Sequence, residues 1–216
     1  MLAFPLPAVA FFNLLPIAQI TFDLPETVSH SRTRGGDVLS ADIGDRLWTG
    51  EVTLGKITRE EYADVRPLID LLRGAGASFE IHDPTRPYPR GDLGGATLGA
   101  STPGIAALLN ARELTITGLP PGYVISRDDM IGFQYAAAPR RYALHQVVTG
   151  AVANGVGTTP AIEVIPPIAP GVTVGEAVTL VRPPCKAMIL PNSTAPAKAR
   201  AIIRDGATFR WRQTFR

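Results

Sequence analysis

The chain has 216 residues, 45% of them hydrophobic, and a formal net charge of +2. That length holds one large domain or two small ones, and that apolar content builds a core, so a disordered tail is excluded. Near-neutral charge with both signs interspersed excludes a dedicated nucleic-acid surface, which needs a clustered basic face.

Residues 1–16 are almost wholly apolar, and the first basic residue is Arg32. A signal peptide needs an early positive region, so none is expected. Pro5, Pro7, Asn13 and Pro16 interrupt the run, which leaves no apolar stretch of ~20 residues to span a membrane. The segment reads as a proline-stiffened arm with Phe4, Phe11 and Phe12 to bury, either on its own domain or on a neighbouring subunit. Phe4, Phe11 and Phe12 are therefore the candidate subunit contacts.

Residues 20–24 alternate as a first strand, and 29–36 read as a loop or a flexible hairpin tip. Trp48, Gly50, Val52 and Leu54 alternate with polar residues in a half-buried strand. Thr58 and Glu61 form a capping box at the head of a helix over 58–73. Val65, Leu68, Ile69 and Leu72 make its apolar face, and Gly74 and Gly76 end it. Pro67 is expected to kink the helix or to divide it. Phe79 and Ile81 mark a second strand. Residues 83–92 carry three prolines and read as a polyproline-like loop.

From about Gly94 short strands recur: 113–118, 130–135, 142–148, 161–165 and 176–181. Turns such as Asn154–Gly155 separate them, the pattern of a small closed barrel or sandwich. A polar linker over 192–199 precedes a closing strand with Phe209, Trp211 and Phe215 on one face. High glycine (21) and proline (20) suit such a chain better than a helical bundle. The expected fold class is mainly β (α+β): a tube-like sheet domain with one flanking helix, made of 1–92 plus 185–216, carrying an inserted small β-barrel over 93–184.

The search for chemistry yields no catalytic motif. His30, His82 and His145 lie at no metal spacing with another His or Cys, so neither a metal nor a cofactor is expected. His82–Asp83 could present a general base at a strand end; a satisfied strand-edge histidine is the blander reading. Asp128–Asp129 could bind a divalent ion with Asp205 or another carboxylate, against a solvated turn between strands. Asn154–Gly157 lacks the lysine and the helix of a phosphate loop. Arg140–Arg141 reads as a solvated hairpin face. Tyr123, Phe133, Tyr135 and Tyr142 could form an aromatic platform for sugar, against core packing. Cys185 is the single cysteine, which excludes an intrachain disulfide and reads as a buried thiol. The bias to arginine suits subunit contacts, and a GC-rich genome gives the same bias.

Three features together resemble the distal tail proteins of siphovirus-like bacteriophages and gene transfer agents. They are the strand of Trp48, Gly50 and Leu54 leading through the capped helix to 79–83; the Asp83-Pro-Thr-Arg-Pro-Tyr-Pro-Arg90 exit; and the barrel running from Leu114 to Tyr123, through Asp128–Asp129 and Tyr142–His145, to Pro167. The resemblance implies a structural protein and not an enzyme: a homo-hexameric ring at the virion tail tip, made in the host cytoplasm. Its implied partners are further copies of itself, the tail tube protein and the tail hub protein, with DNA passing through the lumen and no membrane insertion. Some hub relatives hold an iron–sulfur cluster through several cysteines, which a lone Cys185 does not do. The competing expectations are a module that binds surface glycans and an enzyme, a cell-wall hydrolase using His82 and Asp83.

Overall fold

The computed structural model describes residues 2–199 and 203–215. The protein is mainly β, 9% helix against 38% strand, with a nearly closed barrel-like sheet and a half-barrel sheet. In chain order the strands are β1 (Ile17–Ile20), β2 (Val28–Arg32), β3 (Val38–Asp42), β4 (Thr49–Leu54) and β5 (Ile57–Thr58). After helix α1 (Arg59–Leu72) come β6 (Phe79–Ile81), β7 (Gly104–Leu108), β8 (Glu113–Thr117), β9 (Val124–Ile125), β10 (Met130–Tyr135), β11 (Arg141–Thr149) and β12 (Ala151–Val152). The remainder are β13 (Ile162–Ile165), β14 (Val178–Thr179), β15 (Cys185–Ile189), β16 (Lys198–Ala199), β17 (Ile203–Asp205) and β18 (Thr208–Gln213). Two compact units divide these elements. The first takes 2–13, 78–187 and 215; the second takes 14–77 and the described part of 188–214.

In the second unit, β4 lies between β1 and β18, antiparallel to both. Alternation along β4 and β18 turns Val52, Leu54, Phe209 and Trp211 inward, each at most 1% exposed. Phe22 lies against both indoles, 5.4 Å from Trp48 and 4.6 Å from Trp211. β1 starts earlier than the expected 20–24, but that segment pairs with β4 too. Past a bulge between Ile17 and Gln19, Thr21 N–H donates to Glu51 and Asp23 exchanges bonds with Thr49. The closing strand stops at Gln213, short of Phe215. Gln213 takes the third inward place because its side-chain oxygen accepts from Trp48 N–H at 3.2 Å.

The capping box of α1 forms as read. Glu61 N–H donates to Thr58 Oγ1 at 3.2 Å, and Thr58 N–H donates to Glu61 Oε2 at 3.0 Å. The helix runs undivided through Pro67. The carbonyl of Ala63, four residues earlier, loses its donor there; both residues are on the exposed side of the helix, where that loss is tolerated. The buried face is Tyr62, Val65, Ile69 and Leu72, while Leu68 sits half-buried at its flank. Tyr62 joins the face because its hydroxyl also has a partner, the Ala197 N–H at 3.3 Å. Leu72→Ala is therefore expected to cost ~2–5 kcal/mol and Leu68→Ala distinctly less, by urea denaturation. Equal losses would show that the face is misassigned.

In the first unit, six strands run in the order β14, β10, β11, β13, β8, β7. A bridge between Gly104 and Ala177 brings the two ends of this sheet together. Ile105 N–H donates to Glu176 at 3.0 Å and Val178 N–H to Pro103 at 2.8 Å across that closure. Leu114, Ile116, Ile131, Ile162 and Val164 fill the interior, each at most 1% exposed. The whole core cluster is drawn from residues 98–180. The same unit pairs β6 with β15, Phe79 opposite Ala187 and Ile81 opposite Cys185.

Candidate functional site

The arm comes first, because its apolar sequence requires a cover. Leu6 lies beside Phe79 as a parallel bridge: its N–H donates to Ser78 O and its carbonyl accepts from Glu80 N–H, both at 2.9 Å. Ala8 N–H donates to Glu80 Oε2 at 3.3 Å. Phe11 meets Phe79 edge-on at 5.1 Å, and Phe12 meets His82 in the same way at 5.1 Å. Of the three candidate contacts, Phe11 and Phe12 are thus buried within their own chain, and Phe4 is 42% exposed. Leu2 and Val9 are also largely exposed. Periodicity could not have found the seat of Leu6, since a single parallel bridge leaves no repeat to read.

The second surface is the ribbon of β2 and β3. Their register runs from Val28 opposite Asp42 to Arg32 opposite Val38; of the loop or hairpin tip expected over 29–36, the hairpin is present, with its tip at 33–37 and 29–32 in a strand. Every residue of β3 is exposed, and β2 is exposed beyond Val28. Alternation gives the ribbon two unlike faces. Val28, His30, Arg32, Val38, Ser40 and Asp42 share one; Ser29, Ser31, Leu39 and Ala41 share the other, which carries no charge. Leu39 is 60% exposed and Ile43, just past the strand, 72%. A two-stranded ribbon in water is marginal alone. Sequence reading missed these strands because their apolar positions are few and the rest are small polar residues.

The residues read for chemistry have structural partners. Asp83 is 3% exposed; one of its oxygens accepts from Thr85 N–H and Oγ1–H, and the other from Arg86 Nε at 2.7 Å. His82 sits beside it, held below its ordinary pKa by burial and by the Arg182 charge, with the Asp83 charge opposing. Asp128 lies on the expected turn with its side chain 47% exposed, but Asp129 is not solvated. Asp129 is 2% exposed and accepts from Arg90 N–H at 2.8 Å and Ser126 N–H at 2.7 Å; burial raises its pKa all the same. Asp128, in the left-handed region at φ 77°, accepts from Arg86 Nη1 at 2.6 Å and from Gln146. Asp92 accepts from Thr97 and Leu98 N–H and from the Tyr123 hydroxyl. These carboxylates bind the proline-rich 83–98 segment to the barrel, because each backbone donor brought out of water there needs an acceptor. Among the described residues no cluster of three His, Cys, Asp or Glu could hold a metal ion.

Tyr123, Phe133, Tyr135 and Tyr142 are all 6% exposed or less, so none offers a ring to a sugar. Tyr142 donates to Glu80 Oε1 at 3.0 Å, and burial with that carboxylate pushes its pKa up to about 12. Arg140 is exposed, bonded to Gln134. Asn154–Gly157 is a tight turn in which Asn154 Oδ1 accepts from Val156 and Thr158 N–H. Cys185 is fully buried, which pushes its thiol pKa up. A cleft of about 240 Å³ beside α1 has Arg66, Asp70 and Arg73 as its ionisable lining besides Tyr62. The two guanidiniums already pair with Asp70, at 3.7 and 3.2 Å. A shallow groove over 94–103 and 177–181 has no titratable side chain in its lining. Neither supplies an acid–base pair.

His145 is fully buried and stacked on Phe133, 5.2 Å between ring centres. Its Nδ1 lies 2.8 Å from Pro166 O. A carbonyl only accepts, so Nδ1 carries the proton and Nε2 is a bare lone pair. Burial lowers the pKa from 6.5 to about 4. Between those values the unfolded chain binds a proton that the folded chain refuses, so stability present above pH 6.5 is lost as pH falls towards 4. The loss is roughly 3 kcal/mol, and His82 adds in the same direction. Urea midpoints across this range should fall with acid in the wild type and fall less in His145→Gln, which keeps a donor for Pro166. Parallel curves would refute the assignment.

Comparison with protein-family models and with curated proteins finds no match. Among the described residues no helix is long and apolar enough to cross a membrane.

Proposed function

We propose that the protein is a virion structural protein of a phage-like tail tip, a distal tail subunit whose ring joins the tail tube to the hub. The observation that carries the reading is the ribbon of β2 and β3. It exposes an uncharged face with Leu39, and none of its own residues is buried. Exposed strand edges of this kind invite pairing with another chain, and a permanent assembly gives them a use. The exposed apolar remainder of the arm, Leu2, Phe4 and Val9, adds to the same argument. The barrel over 93–184 is on this reading an inserted module, and His82 and Asp83 have no catalytic task. Tube and hub proteins are the neighbours above and below, and DNA passes through the lumen without specific contact.

The test is the mass of the purified protein by light scattering, with electron micrographs viewed along the particle axis. The expected result is a closed ring of six times the 23.0 kDa chain. A single chain at every concentration would overturn the reading.

A further inference from the structure

The arm folds with a different unit from the chain that follows it. Residues 2–13 belong with 78–187, while 14–77 make up the second unit. The arm is therefore a short element, tied to its seat by non-covalent contacts and attached to the chain only through residues 13–16. Its seat is the β6 edge, where Leu6 adds one parallel bridge and Glu80 accepts from Ala8 N–H. Leu6, Phe11 and Phe12 fill it, each at most 2% exposed.

We infer that the β6 edge takes the arm of a second copy of this chain, so that residues 2–13 are exchanged between neighbours in the assembly. The inference rests on the ring reading above and names one of its contacts. The bonds from Leu6 and Ala8 and the Phe11 and Phe12 ring contacts join arm atoms to seat atoms, so the same contacts form whichever chain supplies the arm. Within one chain the high effective concentration favours its own arm. In an assembly a neighbour's seat comes within the same reach, and an arm that crosses to it carries its own exposed apolar surface into the subunit contact. That surface is substantial: Leu2 is 52% exposed, Phe4 42% and Val9 72%. No charged side chain precedes Asp23 to oppose such burial. Pro5 and Pro7 lower the entropy lost when it docks. A closed ring then leaves no seat empty and no arm free.

Mixed-isotope cross-linking tests this on the full chain. Chains carrying Pro7→p-benzoylphenylalanine, an exposed position, are assembled with an excess of unsubstituted ¹⁵N-labelled chain, irradiated and digested. The expected product joins the arm to the peptide containing 78–82 in its heavy form, in proportion to the heavy chain present. If assembled particles give that peptide only in its light form, each arm stays on its own chain and the exchange is refuted. The same holds if the arm is joined to other peptides and never to 78–82, whichever the isotope. Ala10→p-benzoylphenylalanine repeats the measurement should the first variant fail to fold. A chain that stays monomeric by mass refutes the ring itself, a different result from an assembled particle with light-only links.

Discussion

A chain in which residues 29–41 are replaced by a short Gly/Ser turn is expected to fold normally and to lose assembly altogether. The side chains removed face water, so no core contact goes with them. The base of the ribbon remains closed by Ile43 N–H donating to Thr27 O at 2.9 Å and by the Thr27 hydroxyl donating to Gly44 O at 2.8 Å. Circular dichroism and the melting temperature should change little, while light scattering should report single chains at concentrations where the full protein forms rings. A milder variant locates the contact. Leu39→Asp puts a charge on the uncharged face, where burying a leucine is worth ~1.5–3 kcal/mol per contact. That loss recurs at every interface of a ring. His30→Ala, on the opposite face, should be tolerated better. Rings that persist without the ribbon would remove the observation on which the proposed function stands.

Gly50→Ala is expected to destabilise the second unit by ~3 kcal/mol or more, at the upper end of overpacking costs. A Cβ built on Gly50 would lie 1.8 Å from the Thr21 carbonyl oxygen and 3.0 Å from Trp211 Nε1. The first of these is backbone, so no rotamer change relieves it. To make room, the chain after β1 must move off β4, and the bond from Thr21 N–H to Glu51 O goes with it. Trp211, opposite Gly50 in the register and fully buried, then loses its close fit against the strand and against Phe22. Urea denaturation measures the loss. A change below ~1 kcal/mol would mean that the approach of 20–23 to β4 is looser than described.

Gly50 shows how far sequence reaches. Its place among alternating residues makes a strand legible, but a glycine there says only that something comes close. What comes close is the Thr21 carbonyl, and that depends on a bulge no pattern announces. The Thr58–Glu61 capping box was legible because its bonds join residues three apart and need no tertiary partner. The strands 113–118 and 161–165 were legible because one face of each is packed, so period-2 alternation follows from burial. Leu68 and Tyr62 mark the limit of that argument. Spacing ranks both near the apolar face, and the side of the stripe that is buried depends on what packs against it.

The site residues divide in the same way. The sequence by itself determined that the arm is apolar, free of charged side chains and too broken by proline for a continuous α-helix, and hence that it must be covered. Where it is covered was decided by tertiary structure, because a single parallel bridge at β6 and the Glu80 carboxylate are contacts more than 70 residues away in sequence. The doublet Asp128–Asp129 reads as a wet turn from composition alone. Both carboxylates are acceptors, Asp129 buried and Asp128 partly exposed, because the 83–98 segment, with prolines that cannot donate and N–H groups that must, is folded onto them. Local sequence carries bonds between near neighbours and the periodicity of one-sided burial. Carboxylates, glycines and hairpins take their roles from the chain that arrives beside them, and only the folded structure brings it there.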